Sequence, residues 1–599
     1  MTNLVIVESP AKCKKIQSYL GKDFIVKASF GHFREISNGL KDINRETYIP
    51  KFSIAKGKNK VVSELKKIIK QASKIYLATD DDREGEAIAW HICDYFSLSI
   101  KSTPRIIFHE ITKTAIQKAI QTPTTLDMNK VNAQFARQVL DLIVGYTVSP
   151  LLWKAIPRDL YKGSLSAGRC QTPALRLVYD QEREIRENPG MLTRTIVGTF
   201  LKINIQFTLE PCQSVKSFNE YFSSKEKTED FLEMSAEFQH EFSKHPSKET
   251  SHNAPKPLTT STLQQKSNTE CRMKPSQTMR TAQTLYERGL ITYMRTDNPR
   301  YSAEFVEKCS KYIHDTYGED YLEHNLNKVI LGGKKSKNAQ EAHEAIRPTN
   351  VNTLPSTIED AQQKKLYNLI WRNTVASCMT MARGKKIQAQ ITSPLNEPKS
   401  VYKTTEEQIV FLGWKIVYQS METNEKYRYL ERMREKQRVE YKQIRATPKM
   451  ANTKQHYTEA KLVQLLEQKG IGRPSTFSSL VQKIQQREYA LVENIPGRSM
   501  KCTSFLLTQD ELIEEDKTVE FNQEKQKMCI KELGERVIEY LINDNPIHHL
   551  FDYSYTSNLE NQLDEIAKGR LIWTDVVKEC DSLLSDSIKP LQEKARQKS

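Results

Sequence analysis

The sequence predicts a multi-domain protein that joins an α/β domain to separate helical (α) and β-rich regions. Three observations carry this. The chain has 599 residues, too many for one hydrophobic core, and length alone suggests roughly three to five domains. Residues 1–115 alternate strand-like and helix-like runs, the pattern of a largely parallel sheet covered by helices. Strand-like segments then flank a helical block on both sides, so the chain leaves one domain, builds another and returns.

Taken in order, Leu4–Val7 reads as a strand and Lys74–Thr79 as another. Glu84–Tyr95 sets Ala87, Ile88, His91, Ile92 and Tyr95 at helical spacing. Residues 116–182 read as mainly helical. After Asn188-Pro189-Gly190, Thr195–Leu209 alternates as strands do. Lys244–Pro257 is polar and proline-bearing and reads as a linker. Helical character returns from Thr259 to about Arg383, followed by strand-like segments between Ile387 and Tyr418. The charged stretch Glu425–Lys442 fits either a solvated strand pair or a charged helix. From Tyr457 onward helices are expected to dominate, ending in a basic tail that holds Lys589, Lys594, Arg596 and Lys598.

Composition narrows the function classes. With 38% hydrophobic and 27% charged residues, the chain is expected to be soluble. No apolar run is long enough for a bilayer, and Met1–Glu8 is a short strand broken by an acid rather than a signal peptide. The expected setting is intracellular, with no membrane. Ninety Lys and Arg against 74 Asp and Glu give a net charge of +16 and a pI near 9.1, which favours a polyanionic partner such as nucleic acid. The ten cysteines contain no C-x-x-C pair, so no zinc ribbon and no disulfide framework are expected.

Two segments carry chemistry. Lys74–Thr79 runs into Asp80-Asp81-Asp82-Arg83-Glu84-Gly85-Glu86. Strand ends of an open α/β sheet face the ligand crevice. Asp80, Asp82 and Glu84 alternate, so an extended turn aims all three at one point. Clustered carboxylates repel and need a cation, and an all-oxygen set beside phosphate suits Mg²⁺. Enrichment of acids at a helix N-terminus explains one or two of them, not four within five residues. Glu8 ends the first strand in the same way, with Lys12 close behind to meet phosphate. The second segment is Gly289-Leu290-Ile291-Thr292-Tyr293-Met294-Arg295-Thr296-Asp297. A tyrosine attacks a phosphodiester only where the developing charge is stabilised, and Arg295 shares a face with Tyr293 if the segment is extended. Taken alone, these nine residues fit core packing better.

Val5-Ile6-Val7-Glu8-Ser9-Pro10-Ala11-Lys12, followed by Asp80-x-Asp82-x-Glu84-Gly85-Glu86-Ala87-Ile88-Ala89-Trp90-His91, resembles the Toprim domain in the form found in type IA DNA topoisomerases. The resemblance continues through Ala136–Asp141, Val144-Gly145-Tyr146, Leu165–Gln171, Thr259–Gln265, the Tyr293 segment, Glu341–Pro348 and Gly470–Thr476. These motifs stand in the family's order and span residues 4 to about 575.

The resemblance implies a toroidal core. Its parts would be a Toprim domain over 1–115, a helical DNA-binding base from 116–182 with 451–580, a β-rich arch from 183–252 with 384–450, and a helical domain over 253–383 carrying the tyrosine, with the basic tail at 581–599. It implies that Tyr293 attacks single-stranded DNA and forms a 5′-phosphotyrosine, with Arg295 and Lys12 stabilising charge and Glu8 acting as general acid and base. Glu8, Asp80, Asp82 and Glu84 would hold Mg²⁺. DNA contacts are expected from Arg137, Gln138 and Asp141, from Ser166, Ala167, Gly168, Arg169, Cys170 and Gln171, and from His343. Weaker candidates are His32, Arg105, Arg473, Ser475 and Thr476. His343 lies in an E-A-H-E-A segment that mimics a zinc H-E-x-x-H, but Arg347 stands where the second histidine would be. The implied reaction is relaxation of negatively supercoiled, underwound duplex DNA by a monomer, without ATP or zinc. The rivals are a decatenating, topoisomerase III-like preference, a Toprim primase or nuclease, and an inactive DNA-binding scaffold. Bacterial members of the family often carry cysteine-rich zinc ribbons after the core, and none is expected here, since the ten cysteines form no C-x-x-C pair.

Overall fold

The structure is a computed structural model that describes residues 2–324, 343–543 and 546–597. Glu341 and Ala342 of the E-A-H-E-A segment, and Lys598 of the basic tail, lie outside the described residues.

The first domain is built on a three-stranded parallel sheet. Asn3–Val7 is central, with Phe24–Ala28 on one side and Ile75–Leu77 on the other. Side chains alternate across a strand, and here the two faces enter different cores. Leu4 and Ile6 pack with Val62, Leu65, Ile88 and Ile92 from the covering helices Asn59–Gln71 and Arg83–Tyr95. Val5 and Val7 face the other way, into a core that also contains Leu285, Tyr286, Ile291, Tyr293 and Met294. One face of this sheet is therefore continuous with the block that carries the tyrosine. Fully burying a side chain of this size stabilises by about 1.5–3 kcal/mol, so this shared core holds the two parts together. The boundary expected at residue 115 falls inside helix Lys113–Gln121, whose Ile116 and Ala119 belong to the same core.

A second core joins the long helix Met128–Ala155 and helix Gln171–Glu187 to Glu459–Gln468, Phe477–Gln486, Glu532–Ile542, Tyr553–Ala567 and the last helix. The sheet of the third region has ten strands. Met191–Thr199 and Gln206–Pro211 sit between strands from much later in the chain, Gln443–Ala451 on one side and Lys399–Phe411 on the other. The chain does leave this sheet and come back to it, as the order of strand-like and helical segments implied.

Several expectations are corrected. Within the expected linker, Lys248–His252 is a strand paired antiparallel with Ala382–Asn396; its polar side chains are solvated while its backbone is satisfied by the ladder. The charged stretch is neither of the two simple options: Glu425–Arg432 is a helix capped by Asn424, and Gln437–Arg438 is a short edge strand. Helices do not dominate throughout the C-terminal part. Arg498–Leu507 and Leu512–Phe521 form a long hairpin on the large sheet, and Ala490–Ile495 pairs with Glu524–Ile530. The hairpin's second strand is mostly exposed and rich in acids, so it lacks the hydrophobic alternation that marks a half-buried strand. The tail up to Gln597 continues helix Trp573–Gln597, with Lys589 paired to Asp586.

Candidate active site

The acidic site follows from the sheet register. Ile6 lies opposite Leu77 in parallel strands, so both strands end on the same side and deliver Glu8 and Asp80 together. The backbone N–H of Asp80 donates to Glu8 Oε1 at 3.0 Å. Gly85 makes this approach possible, because a Cβ there would lie 2.2 Å from the Asp80 carbonyl oxygen and 2.8 Å from Glu8 Oε1. Asp82 caps helix Arg83–Tyr95, its Oδ1 accepting from the Gly85 N–H at 2.8 Å.

The tyrosine segment comes to this loop from the opposite side. Its backbone is held by pairing of Thr292 N–H with the Arg347 carbonyl and of Tyr293 N–H with the His109 carbonyl. Tyr293 is 2% exposed. Its hydroxyl donates to Asp82 Oδ2 at 2.6 Å, and Arg295 Nη1 donates to the same oxygen at 3.1 Å. Lys12, wholly buried, pairs with Asp80 Oδ1 and lies over the Tyr286 ring. Glu84 accepts from Gln134 Nε2 at 2.8 Å and lies 3.0 Å from His32 Nε2.

Electrostatics follow from this crowding. Burial first, and then the Asp80 charge, push the Glu8 carboxyl up to about 7. Burial and Asp82 raise the Tyr293 phenol well above its ordinary value. Asp82 is held low: burial opposes this, but Arg295 and the Tyr293 hydroxyl overcome it. Burial lowers His343 to about 4.

Glu8, Asp80, Asp82 and Glu84 are oxygen donors suited to Mg²⁺. Glu8 lies against Asp80 and within reach of the Asp82 charge, and all four side chains offer oxygen alone, so the donor chemistry fits that ion. Their oxygens are drawn to Lys12, Tyr293, Arg295 and Gln134, so holding an ion requires them to turn away from these partners.

The groove beside this site collects many of the expected DNA-contact residues. Arg137, Asp141, Ser166, Ala167, Gly168, Arg169, Cys170 and Gln171 line an open groove of about 440 Å³. Arg137, Arg295, Arg473 and Ser475 line a smaller opening with Asp82 and Glu84. Gln138 is half-buried on the long helix, and Thr476 bonds the Arg473 backbone.

Three arginines are held internally. Arg169 pairs with Glu560 and with Asp141 at 3.0 Å, and Arg473 pairs with Asp564 at 2.6 Å. Arg105 is corrected outright: it is fully buried, donates to Glu86 at 2.8 Å and reaches the carbonyls of Thr79, Asp80 and Ile106. It braces the acidic loop from beneath and has no surface to offer DNA.

Sequence reasoning passed over Tyr286, whose hydroxyl lies 3.4 Å from Asp80 Oδ1, and also Gln134, Lys130, Glu560 and Asp564. A signal for two of these was present. Lys130, Gln134, Arg137 and Asp141 follow i, i+4, i+7, i+11 spacing, one stripe of the long helix, and the first two reach the acidic loop.

Comparison with known proteins accords with this geometry. Residues 3–111 match the Toprim domain family and residues 125–524 match the family described as DNA topoisomerase. The chain is 37% identical to DNA topoisomerase 1 of Campylobacter jejuni, over 96% of this chain and 77% of that protein. It is 35% identical to "DNA topoisomerase 1 type prokaryotic" of Acanthamoeba polyphaga mimivirus, over 99% of this chain and 71% of that protein. Full-length topoisomerase I from Thermotoga maritima has a similar structure, with a TM-score of 0.79 at 30% identity, covering 98% of this chain and 90% of that one. A Toprim primase or nuclease does not account for the match over residues 125–524. With the Toprim acids and the tyrosine segment brought together in one fold, the chain belongs to the type IA DNA topoisomerases.

Proposed function

We propose that Tyr293 cleaves one DNA strand through a transient 5′-phosphotyrosine, and that opening of the interface between the Toprim domain and the tyrosine-bearing block lets a strand pass before religation. The observation that carries this reading is the 2.6 Å contact between the Tyr293 hydroxyl and Asp82 Oδ2. It sets the Tyr293 hydroxyl against the acidic loop, which comes from a different part of the chain.

In cleavage, the Tyr293 hydroxyl passes its proton to Asp82 Oδ2, the carboxylate it already contacts, as its oxygen bonds to phosphorus and the bond to the 3′-oxygen breaks; religation returns that proton to the phenol. Arg295 and Lys12 are the cations beside that charge. Glu8, at about 7, carries the proton that the departing 3′-oxygen needs, and takes it back when that oxygen attacks the phosphotyrosine. Asp80, Asp82 and Glu84 would hold Mg²⁺, which when bound supplies positive charge beside the phosphate, and Glu8 would join them only in its carboxylate form. The ester keeps the energy of the broken bond, so religation needs no ATP. The substrate is single-stranded at the cut, within underwound duplex, and the monomer contains both halves of the site. The groove around Arg137 and Gln171 and the residues Gln138, His32, His343, Ser475 and Thr476 are the DNA-contact candidates that remain.

The test uses single-stranded oligonucleotides labelled at either end, incubated with the protein and Mg²⁺ and then denatured. The expected result is a covalent adduct on the fragment whose 5′ end lies at the break, absent in Tyr293→Phe. Adducts on the other fragment, or adducts that persist in Tyr293→Phe, overturn the assignment.

A further inference from the structure

Asp81 stands between two residues assigned to the acidic site, but its carboxylate points elsewhere. It is buried, and its Oδ2 lies 2.9 Å from His109 Nε2 while Oδ1 accepts from Lys130 Nζ at 2.7 Å. The His109 ring stands edge-on to that of His343, with centroids 5.1 Å apart. His343 is 5% exposed and its Nδ1 is buried without a hydrogen-bond partner. A buried polar atom without a partner is costly, and the ring that carries it lies beside a carboxylate and a second imidazole. Among the described residues, these three side chains are the group whose ligand atoms come within 4.8 Å of one another.

We propose that Asp81, His109 and His343 form a second cation site, for zinc or a similar first-row ion, whose occupancy ties the Toprim domain to the tyrosine-bearing block. The donor set is two imidazole nitrogens and one carboxylate oxygen. That set suits Zn²⁺ or Co²⁺, whereas Mg²⁺ prefers oxygen alone. Donors around a tetrahedral ion lie about 3.4 Å apart for bonds of about 2.1 Å. The side chains therefore need to shift by roughly an ångström or less. Binding replaces the hydrogen bond between His109 and Asp81, so His109 Nε2 presents its lone pair and the ring proton resides on Nδ1. Lys130 stays on the other oxygen of Asp81, where its charge weakens the site.

The placement gives the site a consequence. Asp81 and His109 belong to the first domain, while His343 lies beside Tyr293, ring centroids 5.4 Å apart. The His109 carbonyl also accepts from the Tyr293 N–H. An ion bound to all three holds the two halves closed. This second part rests on the proposed opening of that interface; the binding site itself does not.

The decisive measurement is titration of the metal-stripped full chain with Co²⁺ in excess Mg²⁺, read by the visible absorption of a four-coordinate cobalt centre. One equivalent is expected. His109→Asn and His343→Asn should each weaken binding at least tenfold, and Lys130→Gln should tighten it severalfold. Absence of the cobalt signal in the folded wild-type chain, or binding unchanged in both histidine variants, which would place the ion on cysteines, overturns the site. Zn²⁺ should then inhibit plasmid relaxation at concentrations that leave oligonucleotide adducts intact, and His109→Asn should relieve that inhibition. Inhibition that persists undiminished in His109→Asn overturns the latch. If wild type forms no adducts at all, it is the phosphotyrosine reading that falls, and the cobalt titration still decides the site.

Discussion

Glu8 offers the sharpest test of the proposed chemistry. A glutamate at its ordinary value of 4.5 is protonated in about 0.3% of molecules at pH 7, whereas one raised to about 7 is protonated in about half. The site therefore enriches the acid form about 150-fold, a differential of about 3 kcal/mol at roughly 1.4 kcal/mol per unit. In cleavage that proton goes to the departing 3′-oxygen, so the forward rate should fall tenfold per unit as pH rises past about 7. Religation needs the carboxylate and should fall in the opposite direction, below about 7. Stability carries the same sign as the acid form: the raised value favours the folded chain below about 4.5, and that contribution is lost as pH rises through about 7. Single-turnover cleavage and religation of a labelled oligonucleotide between about pH 5.5 and pH 9 measures both limbs. Glu8→Gln cannot exchange the proton and should slow both steps by about 10²–10⁴ while flattening their pH dependence. A wild-type cleavage rate independent of pH between about 6 and 8.5, or a Gln variant within threefold of wild type, refutes the reasoning.

Three further outcomes are expected. Asp80→Asn with Asp82→Asn should stop plasmid relaxation, and because the Asp80 charge is the second cause of the raised Glu8 value, any residual cleavage should lose its acid form at lower pH; full relaxation by the double variant removes both from the metal site. Arg105→Met leaves Glu86 buried without its partner and should destabilise the first domain by about 3–5 kcal/mol, measured by denaturant unfolding. A role in DNA binding would instead lower the salt slope of oligonucleotide affinity by about one. Gly85→Ala drives a methyl group into the Asp80 carbonyl and should abolish adducts while leaving far-UV circular dichroism unchanged; adducts at the wild-type level would show that the loop adapts.

The sequence was most legible where one physical signal dominates. Leu4–Val7 is short, apolar and ends on an acid, and it lies in the middle of the parallel sheet as Asn3–Val7. The alternation of Asp80, Asp82 and Glu84 was visible, but which oxygen meets which partner was not, because Tyr293, Arg295, Gln134 and His32 arrive from elsewhere in the chain. Arg105 shows the same limit from the other side. From the sequence it reads as a weak candidate for a DNA contact, and only the fold reveals Glu86 and four carbonyls around it. The strand Leu512–Phe521 escaped notice because Glu514, Glu515, Asp516 and Lys517 remove its hydrophobic period, and its pairing with Arg498–Leu507 is decided by tertiary contact rather than local preference.

The resting site is neutralised from within, and this bears on how cleavage would be controlled. Asp82 holds the Tyr293 hydroxyl and the Arg295 guanidinium on one oxygen, and Asp80 holds Lys12. Both cations that would face the scissile phosphate are thus already paired with acids of the loop. In this arrangement burial, and after it the Asp82 charge, hold the phenol well above its ordinary value. A phosphate entering between the acids and these cations competes for Arg295 and Lys12 through charge-assisted hydrogen bonds, and the freed carboxylates then need a counter-charge of their own. Substrate and cation are therefore required together: phosphate alone leaves bare carboxylates, and a cation alone finds its donors already engaged. The proposed nucleophile is kept protonated until both are present.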